Sequence, residues 1–328
     1  MRAFFYILAR FKIGDTIVYM KQNITIAVLV IALIVGLYFL LSNITKTSTV
    51  ENEPTPSETD VADIVTDTPD TADDTEEEVM NEDETVIGSS FSEHAITAYH
   101  YGSGSDEVLF IGGIHGGYSW NTNLVAYELM DYLEDNPSVI PDNVKVTVIP
   151  TLNPDGLEAV VGTTGRFSAS DVPASEAETI PGRFNGRNVD LNRNFDCEWQ
   201  SDAVWQSRSV SGGSAPFSEP EAQAVRDYIE SNNIVAAVVW YSAAGGVYAS
   251  TCHNGIAPET TSLMNTFANA SGYSAHDSFD YYEITGDMVN WMAGEGIPAI
   301  SVLLTTHKDV EWSKNKAGID AVLKSLAE

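Results

Sequence analysis

The chain has 328 residues, enough for one large domain or two ordinary ones, and its formal net charge is −31. An acidic excess of this size argues against a nucleic-acid partner, because phosphate binding needs a basic surface. Two cysteines are too few for a disulfide-dense scaffold, and no CxxC pattern indicates a zinc site.

An apolar segment near the N-terminus predicts a transmembrane helix over residues 24–42. Residues 24–41 carry no charge and just reach the length that a bilayer requires. A buried core helix is the alternative, but such helices rarely lack a polar face. The basic residues before the segment are Arg2, Arg10, Lys12 and Lys21, whereas only Lys46 follows closely. We therefore expect a cytoplasmic N-terminus over 1–23 and an uncleaved single-pass anchor in the cell membrane, with the rest of the chain extracytoplasmic.

Residues 43–86 are predicted to form a disordered acidic linker. The stretch 51–84 has 15 Asp and Glu residues and no Lys or Arg. Such a composition buries too little apolar surface to offset the entropy of ordering the chain. Binding of calcium or cell-wall cations is the alternative, but the Asp/Asn/Gly spacing of a calcium loop is missing.

From residue 87 to residue 328, apolar runs alternate with amphipathic segments, which predicts an α/β domain. The predicted strands are an edge strand at 95–102 and buried strands at 108–111, 144–149, 234–241 and 297–304. The predicted helices are 121–133, 218–229, 259–271, 286–293 and 310–326. Asn121 or Thr122 is expected to cap the first of these helices, and Ser218 the second. A turn at 150–156 and a long loop at 158–182 complete the pattern. The alternation argues for a mostly parallel sheet covered on both faces.

Three features of this region point to a site. His115 follows a buried strand that ends in Gly-Gly, a pattern that places a ligand at the carboxyl edge of an α/β sheet. One loop contains three arginines, Arg183, Arg187 and Arg193, which favours anion binding. Structural ion pairs of these arginines with Asp190 and Asp196 are the alternative. Outside the cytoplasm we expect Cys197 and Cys252 to form a disulfide, and two free buried thiols are the alternative.

Seven short motifs occur in a characteristic order. They are GGIHGG at 112–117, NPDG at 153–156, VDLNRNFD at 189–196, FSEPE at 217–221, SAAGGVYAS at 242–250, ITGD at 284–287 and TTH at 305–307. Together they resemble the zinc carboxypeptidases of the carboxypeptidase A type over the whole folded domain. The resemblance implies a mixed, mostly parallel eight-stranded sheet between helices, with the site at the carboxyl ends of the central strands.

In that family, two His and one Glu hold zinc, and a second Glu acts as general base. The resemblance implies that His115 is the first zinc ligand and that Arg183 steadies the oxyanion. It implies that Asn192 and Arg193 grip the C-terminal carboxylate of the substrate. Tyr282 matches the tyrosine that covers the substrate, with Tyr281 as a rival.

The remaining family positions depart from the pattern. The ligand Glu should follow His115 by three or four residues, where Tyr118 and Ser119 stand; we assign the lost position to Ser119. Tyr241 occupies the second His position, and Leu303 occupies the position of the general base. Two of three ligands and the base are therefore replaced, which makes binding of the zinc that the family uses doubtful. A rearranged metal site with His253, His276 or His307 is the alternative.

These features predict a degenerate, membrane-anchored zinc-carboxypeptidase-like domain outside the cytoplasm. It would bind peptide C-termini, including those of cell-wall peptides, with little or no hydrolysis. An active zinc metallocarboxypeptidase with an altered metal site is one alternative. A structural or assembly module that binds neither peptide nor metal is another.

Overall fold

A computed structural model of the chain describes residues 83–327. The predicted transmembrane helix at 24–42 and nearly all of the predicted linker lie outside these residues. Within 83–327, no helix combines the length and the apolar character that a membrane crossing requires. The first strand already covers Glu84–Ser89, so the regular structure of the domain begins before the boundary predicted at residue 87.

An eight-stranded mixed sheet forms the centre of the domain. Its strands are β1 (Glu84–Ser89), β2 (Ala95–Tyr101), β3 (Asp106–Ile111), β4 (Val144–Ile149), β7 (Ile234–Ser242), β8 (Gly246–Ala249), β9 (Ala275–His276) and β10 (Ala299–Leu304), in the spatial order β1-β2-β4-β3-β7-β10-β8-β9. The neighbours β4, β3, β7 and β10 run parallel, whereas β1, β2 and β8 pair antiparallel with their inner neighbours. The architecture agrees with the mixed α/β sheet that the sequence predicts. A separate hairpin consists of β5 (Asp202–Trp205) and β6 (Arg208–Ser211).

Helices cover both faces of the sheet. They are α1 (Trp120–Asp135), α2 (Pro154–Val161), α3 (Glu176–Thr179), α4 (Pro220–Ser231), α5 (Pro258–Ser271), α6 (Met288–Gly294) and α7 (Trp312–Ser325). Helices α1, α5 and α7 pack on the face to which Val108 and Phe110 of β3 point. Helices α4 and α6 pack on the opposite face, with Leu109 and Ile111. Successive residues of β3 thus serve two cores, which is why its run 108–111 is apolar.

Several local predictions were wrong. Strand β2 is not an edge strand, because β1 pairs with its outer side. Helix α1 begins after Ser119, so Asn121 and Thr122 lie inside it rather than capping it. The N-cap of α4 is Glu219, and the Ser218 hydroxyl donates to the Glu219 carboxylate instead.

Two segments predicted as turn or loop contain helices. Asn153, in the predicted turn, accepts a hydrogen bond from the Gly156 backbone N–H at 2.8 Å and thereby caps α2. The predicted loop at 158–182 contains the end of α2, all of α3 and two short 3₁₀ turns. Little apolar periodicity marks such short helices, so the sequence pattern did not reveal them.

Parallel pairing brings the site segments to one edge of the sheet. Strand β3 leads into the GGIHGG segment, and Leu303 of β10 lies in register with Tyr241 of β7. Gly113 has φ +65°, and a Cβ on it would collide with the Asn123 side chain of α1. Only glycine therefore permits this sharp exit from β3 towards His115.

Candidate functional site

An open cavity of about 1030 Å³ lies at the carboxyl edge of the central strands. Its lining includes the predicted site residues His115, Arg183, Asn192, Arg193, Tyr241, Tyr282 and Leu303, and also Tyr281. Ser119 is not part of the lining. The fold thus brings together residues that are up to 188 positions apart in the sequence.

Tyr118 and Ser119, the two candidates for the position of the family's ligand Glu, lie in different surroundings. Tyr118 lines the cavity, and its hydroxyl lies 3.2 Å from His307 Nε2. The Ser119 hydroxyl is buried and has no hydrogen-bond partner among the described residues. At the cavity wall, therefore, a tyrosine stands three residues after His115, and it offers a phenol rather than a carboxylate.

His115 belongs to a buried polar cluster with Asp190 and Arg183. Its Nε2 lies 3.3 Å from Asp190 Oδ1. Arg183 donates from Nε and Nη2 to Asp190 Oδ2 at 2.9 and 2.8 Å, and its Nη1 lies 3.4 Å from His115 Nδ1. Asp190 is completely buried, and the other two are nearly so. Arg183, which the resemblance assigned to the oxyanion, is thus held in an internal ion pair.

Burial decides the charge state of this cluster. Burial and, after it, the adjacent Arg183 guanidinium lower the pKa of His115 to about 4, against the opposing effect of Asp190. Burial alone would raise the pKa of the Asp190 carboxyl, but Arg183 and the His115 ring together hold that pKa well below its usual range. At neutral pH the cluster is therefore an Arg–Asp ion pair beside a neutral imidazole.

The residues around His115 do not fit a zinc ion. Zinc in such a site needs three protein ligands, and within residues 83–327 no three His, Cys, Asp or Glu side chains gather as a candidate metal-binding group. The Nδ1 atom of His115 faces the Arg183 guanidinium, whose positive charge repels a cation. Tyr241, at the second His position, packs its ring 5.9 Å from that of His115.

The histidines of the alternative metal site lie in separate surroundings. His253 Nδ1 is 3.7 Å from Glu198 Oε1 at the surface, and the His276 ring stacks on Tyr248. His307 lies between Tyr118 and Ser242. Among the described residues, these histidines therefore do not join His115 in a candidate metal-binding group.

Asn192 and Arg193, which the resemblance assigns to the substrate's carboxylate, both line the cavity. Asn192 Nδ2 donates to Asp287 Oδ2 at 2.7 Å, and the Tyr241 hydroxyl donates to Asn192 Oδ1. Arg193 donates to two backbone oxygens, those of Val204 and Asn192. Unlike Arg183, it makes no ion pair with any residue in 83–327, although only 1% of its surface is exposed.

Sequence reasoning missed a hydrogen-bonded chain along the cavity wall. Asn121 Nδ2 donates to the backbone oxygens of Thr306 and Asp309, so its Oδ1 accepts from the Ser242 hydroxyl at 3.1 Å. Ser242 Oγ lies 3.0 Å from His307 Nδ1, which must therefore be the donor. A histidine that donates to serine is not its general base, so this pair is not arranged as a serine nucleophile.

The β5–β6 hairpin, also missed, supplies an aromatic wall. Trp205 packs edge-to-face against Tyr118, and the Arg183 guanidinium lies 4.3 Å from the centre of its ring. Tyr282, from a different loop, lies above Arg193 at 6.0 Å. Four-residue strands give little sequence signal, so the sequence pattern did not reveal this hairpin.

The predicted disulfide between Cys197 and Cys252 is present. It joins the segment that follows the Asn192–Arg193 motif to the loop after β8. The Cys197 carbonyl accepts a hydrogen bond from Gly286 N at 2.8 Å, so the loop that carries Tyr282 is tied to the same point. Three of the segments around the cavity are thereby connected.

We expect His115 to make the stability of the domain pH-dependent. Its folded-state pKa is lowered to about 4, against about 6.5 in the unfolded chain. Between these values the unfolded state binds more protons, so the free energy of unfolding falls with falling pH, by about 3 kcal/mol in total. His115→Gln, whose amide can still donate to Asp190, should remove this contribution in urea unfolding from neutral pH to about pH 4.

The control is His253→Gln, because that imidazole is exposed. It should retain the pH dependence of the parent. Equal pH dependence in the parent and the His115→Gln variant would contradict the assignment.

Comparisons with known proteins agree with the fold. A family model described as zinc carboxypeptidase matches residues 82–316. The gamma-D-glutamyl-L-diamino acid endopeptidase 1 of Lysinibacillus sphaericus is 26% identical over 225 residues, which are 60% of this chain and 54% of the relative. Carboxypeptidase Z of Rattus norvegicus is 28% identical over 139 residues, 38% of this chain and 20% of the relative. The chain thus spans about half or less of the length of these relatives.

Two solved structures share the fold at low identity. Bovine thrombin-activatable fibrinolysis inhibitor, solved in complex with tick carboxypeptidase inhibitor, gives a TM-score of 0.57 at 16% identity and covers 74% of this chain and 88% of that one. Murein-tripeptide amidase MpaA from Escherichia coli O157 gives 0.52 at 19% identity, over 75% of this chain and 92% of that one.

Proposed function

The chain belongs to the zinc carboxypeptidase family, and from that premise we propose that its domain binds the free C-termini of peptides with little or no hydrolysis. Arg193 is the observation that carries the proposal. Its guanidinium is buried in the cavity wall and binds only backbone oxygens, without a carboxylate partner among the described residues. Burying such a charge is costly unless a counter-ion joins it, and the planar guanidinium suits a carboxylate.

The replaced residues explain why hydrolysis is not part of the proposal. Leu303 faces the cavity where the family has its general base, and a leucine cannot accept a proton. Tyr241 and Tyr118 face it where the resemblance expects two zinc ligands, and Ser119 is buried behind it. Arg183, which the resemblance assigned to the oxyanion, forms an ion pair with Asp190 instead. What remains of the family's machinery is the part that holds the C-terminal carboxylate.

Two relatives suggest the class of peptide. One is named as an endopeptidase for gamma-D-glutamyl-L-diamino acid bonds, and one structural neighbour is named as a murein-tripeptide amidase. Bacterial cell-wall peptides are therefore the ligands that we assign to the cavity. An anchor at residues 24–42 and an acidic linker at 43–86 would present the domain to them outside the membrane.

Calorimetric titration of the purified full-length chain tests the proposal. A cell-wall tripeptide with a free C-terminal carboxylate should bind about 10–100-fold more tightly than its carboxamide, because hydrogen bonds to charged groups contribute about 1.5–3 kcal/mol. Arg193→Gln should abolish this difference. Arg226→Gln should keep it, because Arg226 lies on α4 outside the cavity and pairs with Asp227.

Equal binding of the acid and the amide by the parent protein would contradict carboxylate recognition. Zinc-dependent release of the terminal residue, lost in a His115→Ala variant, would instead establish an active carboxypeptidase with an altered metal site. A folded protein that binds neither peptide would leave the structural module as the remaining interpretation.

A further inference from the structure

A second cavity, of about 850 Å³, lies on the face of the sheet that α1 covers. Its lining shares no residue with that of the cavity around Arg193. Strands β1 and β2 contribute one side of it, and α1 and the loop after α2 contribute the other. We call it the tyrosine groove, because Tyr99, Tyr101 and Tyr127 line it.

Two of these tyrosines each have a carboxylate beside them that forms no ion pair. Glu84 of β1 lies directly opposite Tyr99 of β2, so their side chains share one face of the sheet, with about 5 Å between the Cβ atoms. The Tyr101 hydroxyl donates to Glu134 Oε1 at 3.3 Å. Among residues 83–327, neither glutamate pairs with a Lys, Arg or His side chain.

The third tyrosine shows which chemistry such a ring and carboxylate accept. The Arg166 guanidinium lies 4.9 Å from the centre of the Tyr127 ring, and it contacts the two carboxylate oxygens of Asp131 at 3.1 and 2.7 Å. The negative face of an aromatic ring attracts a guanidinium, and the carboxylate adds a charge-assisted pair. The chain thus places its own arginine on one of three similar ring–carboxylate pairs.

The local field at the other two rings also favours a cation. Burial and, after it, Glu84 raise the pKa of Tyr99, against a smaller opposing effect of Arg166. Burial and, after it, Glu134 raise the pKa of Tyr101 in the same way, again against Arg166. At both rings the carboxylate therefore outweighs the arginine, whose charge Asp131 already compensates.

The spacing of these two rings matches an extended peptide. Tyr99 and Tyr101 are two positions apart on β2, so their side chains point to the same face about 7 Å from each other. Side chains at alternate positions of an extended peptide repeat at the same distance. Two basic residues separated by one other residue can therefore reach both rings at once.

We propose that the tyrosine groove binds an extended basic segment of another protein, with two arginine side chains at alternate positions lying over Tyr99 and Tyr101. Glu84 and Glu134 supply the counter-charges. This surface is separate from the cavity of the proposed function and does not depend on it.

Charge decides that the occupant is a different molecule. The stretch 51–84 of this chain has 15 Asp and Glu residues and no Lys or Arg, so the glutamates of the groove repel it. A second copy of the chain carries the same net charge of −31. A basic segment of a different protein is the partner that complements the groove.

Calorimetric titration of the purified full-length chain at low ionic strength tests this inference with three pentapeptides. The first is acetyl-Ala-Arg-Ala-Arg-Ala carboxamide. The second has citrulline, which is neutral and similar in shape, in place of both arginines. The third, acetyl-Ala-Arg-Arg-Ala-Ala carboxamide, keeps the charge but makes the arginines adjacent, so that in an extended chain they point to opposite faces.

The first peptide should bind about 5–30-fold more tightly than the third, which loses one cation–ring contact, and tighter still than the citrulline peptide. All three peptides end in a carboxamide. Their binding therefore does not involve recognition of a C-terminal carboxylate, and a failure of this inference leaves the proposed function unaffected.

Two variants locate the binding surface. Glu84→Gln, at an exposed position of β1, should weaken binding of the first peptide about 5-fold. Tyr99→Leu, which keeps apolar bulk but removes the ring, should cause a similar loss. Glu230→Gln is the matched control, because it removes the same charge from an exposed position of α4, on the opposite face of the sheet, and it should bind like the parent.

Equal affinity of the parent for the first peptide and the citrulline peptide would overturn the inference, and that result requires no variant to fold. Equal affinity for the two arginine peptides would overturn the assignment to two rings, because it would indicate attraction by a diffuse field. Equal losses in the Glu84→Gln and Glu230→Gln variants would overturn the location in the groove for the same reason.

Discussion

Removing the Cys197–Cys252 disulfide should lower the free energy of unfolding by about 4 kcal/mol, because the bond closes a long loop in the unfolded chain. The two cysteines are 55 residues apart, and both are buried in the folded domain. The expected loss is a large fraction of the stability of an ordinary domain. Urea unfolding of the Cys197→Ala/Cys252→Ala double variant measures it.

The parent protein under reducing conditions is the control for this prediction. It retains both sulfur atoms and therefore most of their packing, but it lacks the covalent link. If the covalent link provides the stabilisation, the free energy of unfolding should fall by a similar amount in the reduced parent and in the double variant. An unchanged reduced parent would show that the bond contributes little, and a larger loss in the variant alone would indicate a packing defect.

The strands that lie at the centre of the sheet were predictable because burial on both faces leaves a simple pattern. The run 144–149 predicts β4 without error, and 234–241 predicts β7 to within one residue. Strand β1 lacks such a pattern, because most of its residues are exposed and it is held by pairing with β2. Pairing with a distant strand is tertiary information that local composition does not contain.

The same distinction applies to the cavity. The resemblance implied that His115, Asn192 and Arg193 belong to one site, and all three line the cavity. Whether Tyr118 or Ser119 faces the cavity depends on where α1 begins, and helix boundaries are weakly encoded. Asp287 was visible only as part of the ITGD motif, and its hydrogen bond from Asn192 emerges from packing alone.

Asp190→Asn should destabilise the domain by about 3–5 kcal/mol, because it leaves the Arg183 guanidinium buried without a counter-charge. Asp190 is fully buried and accepts two hydrogen bonds from Arg183, one from the Asn192 backbone N–H and one at the His115 ring. The substitution preserves the shape of the side chain but removes its charge. Urea unfolding at neutral pH measures the loss.

Asp227→Asn provides the matched control, since it breaks a geometrically similar pair with Arg226, at 2.6 Å, on an exposed surface. Water screens that pair, and its loss should cost at most about 1 kcal/mol. Adding Arg183→Met to Asp190→Asn should recover part of the lost stability, because the stranded charge is then gone. Two results would contradict this prediction: equal losses of unfolding free energy in the two Asp→Asn variants, or strictly additive losses in the Arg183→Met/Asp190→Asn double variant. Either result would mean that the buried charge pair does not stabilise the domain more than an exposed pair does.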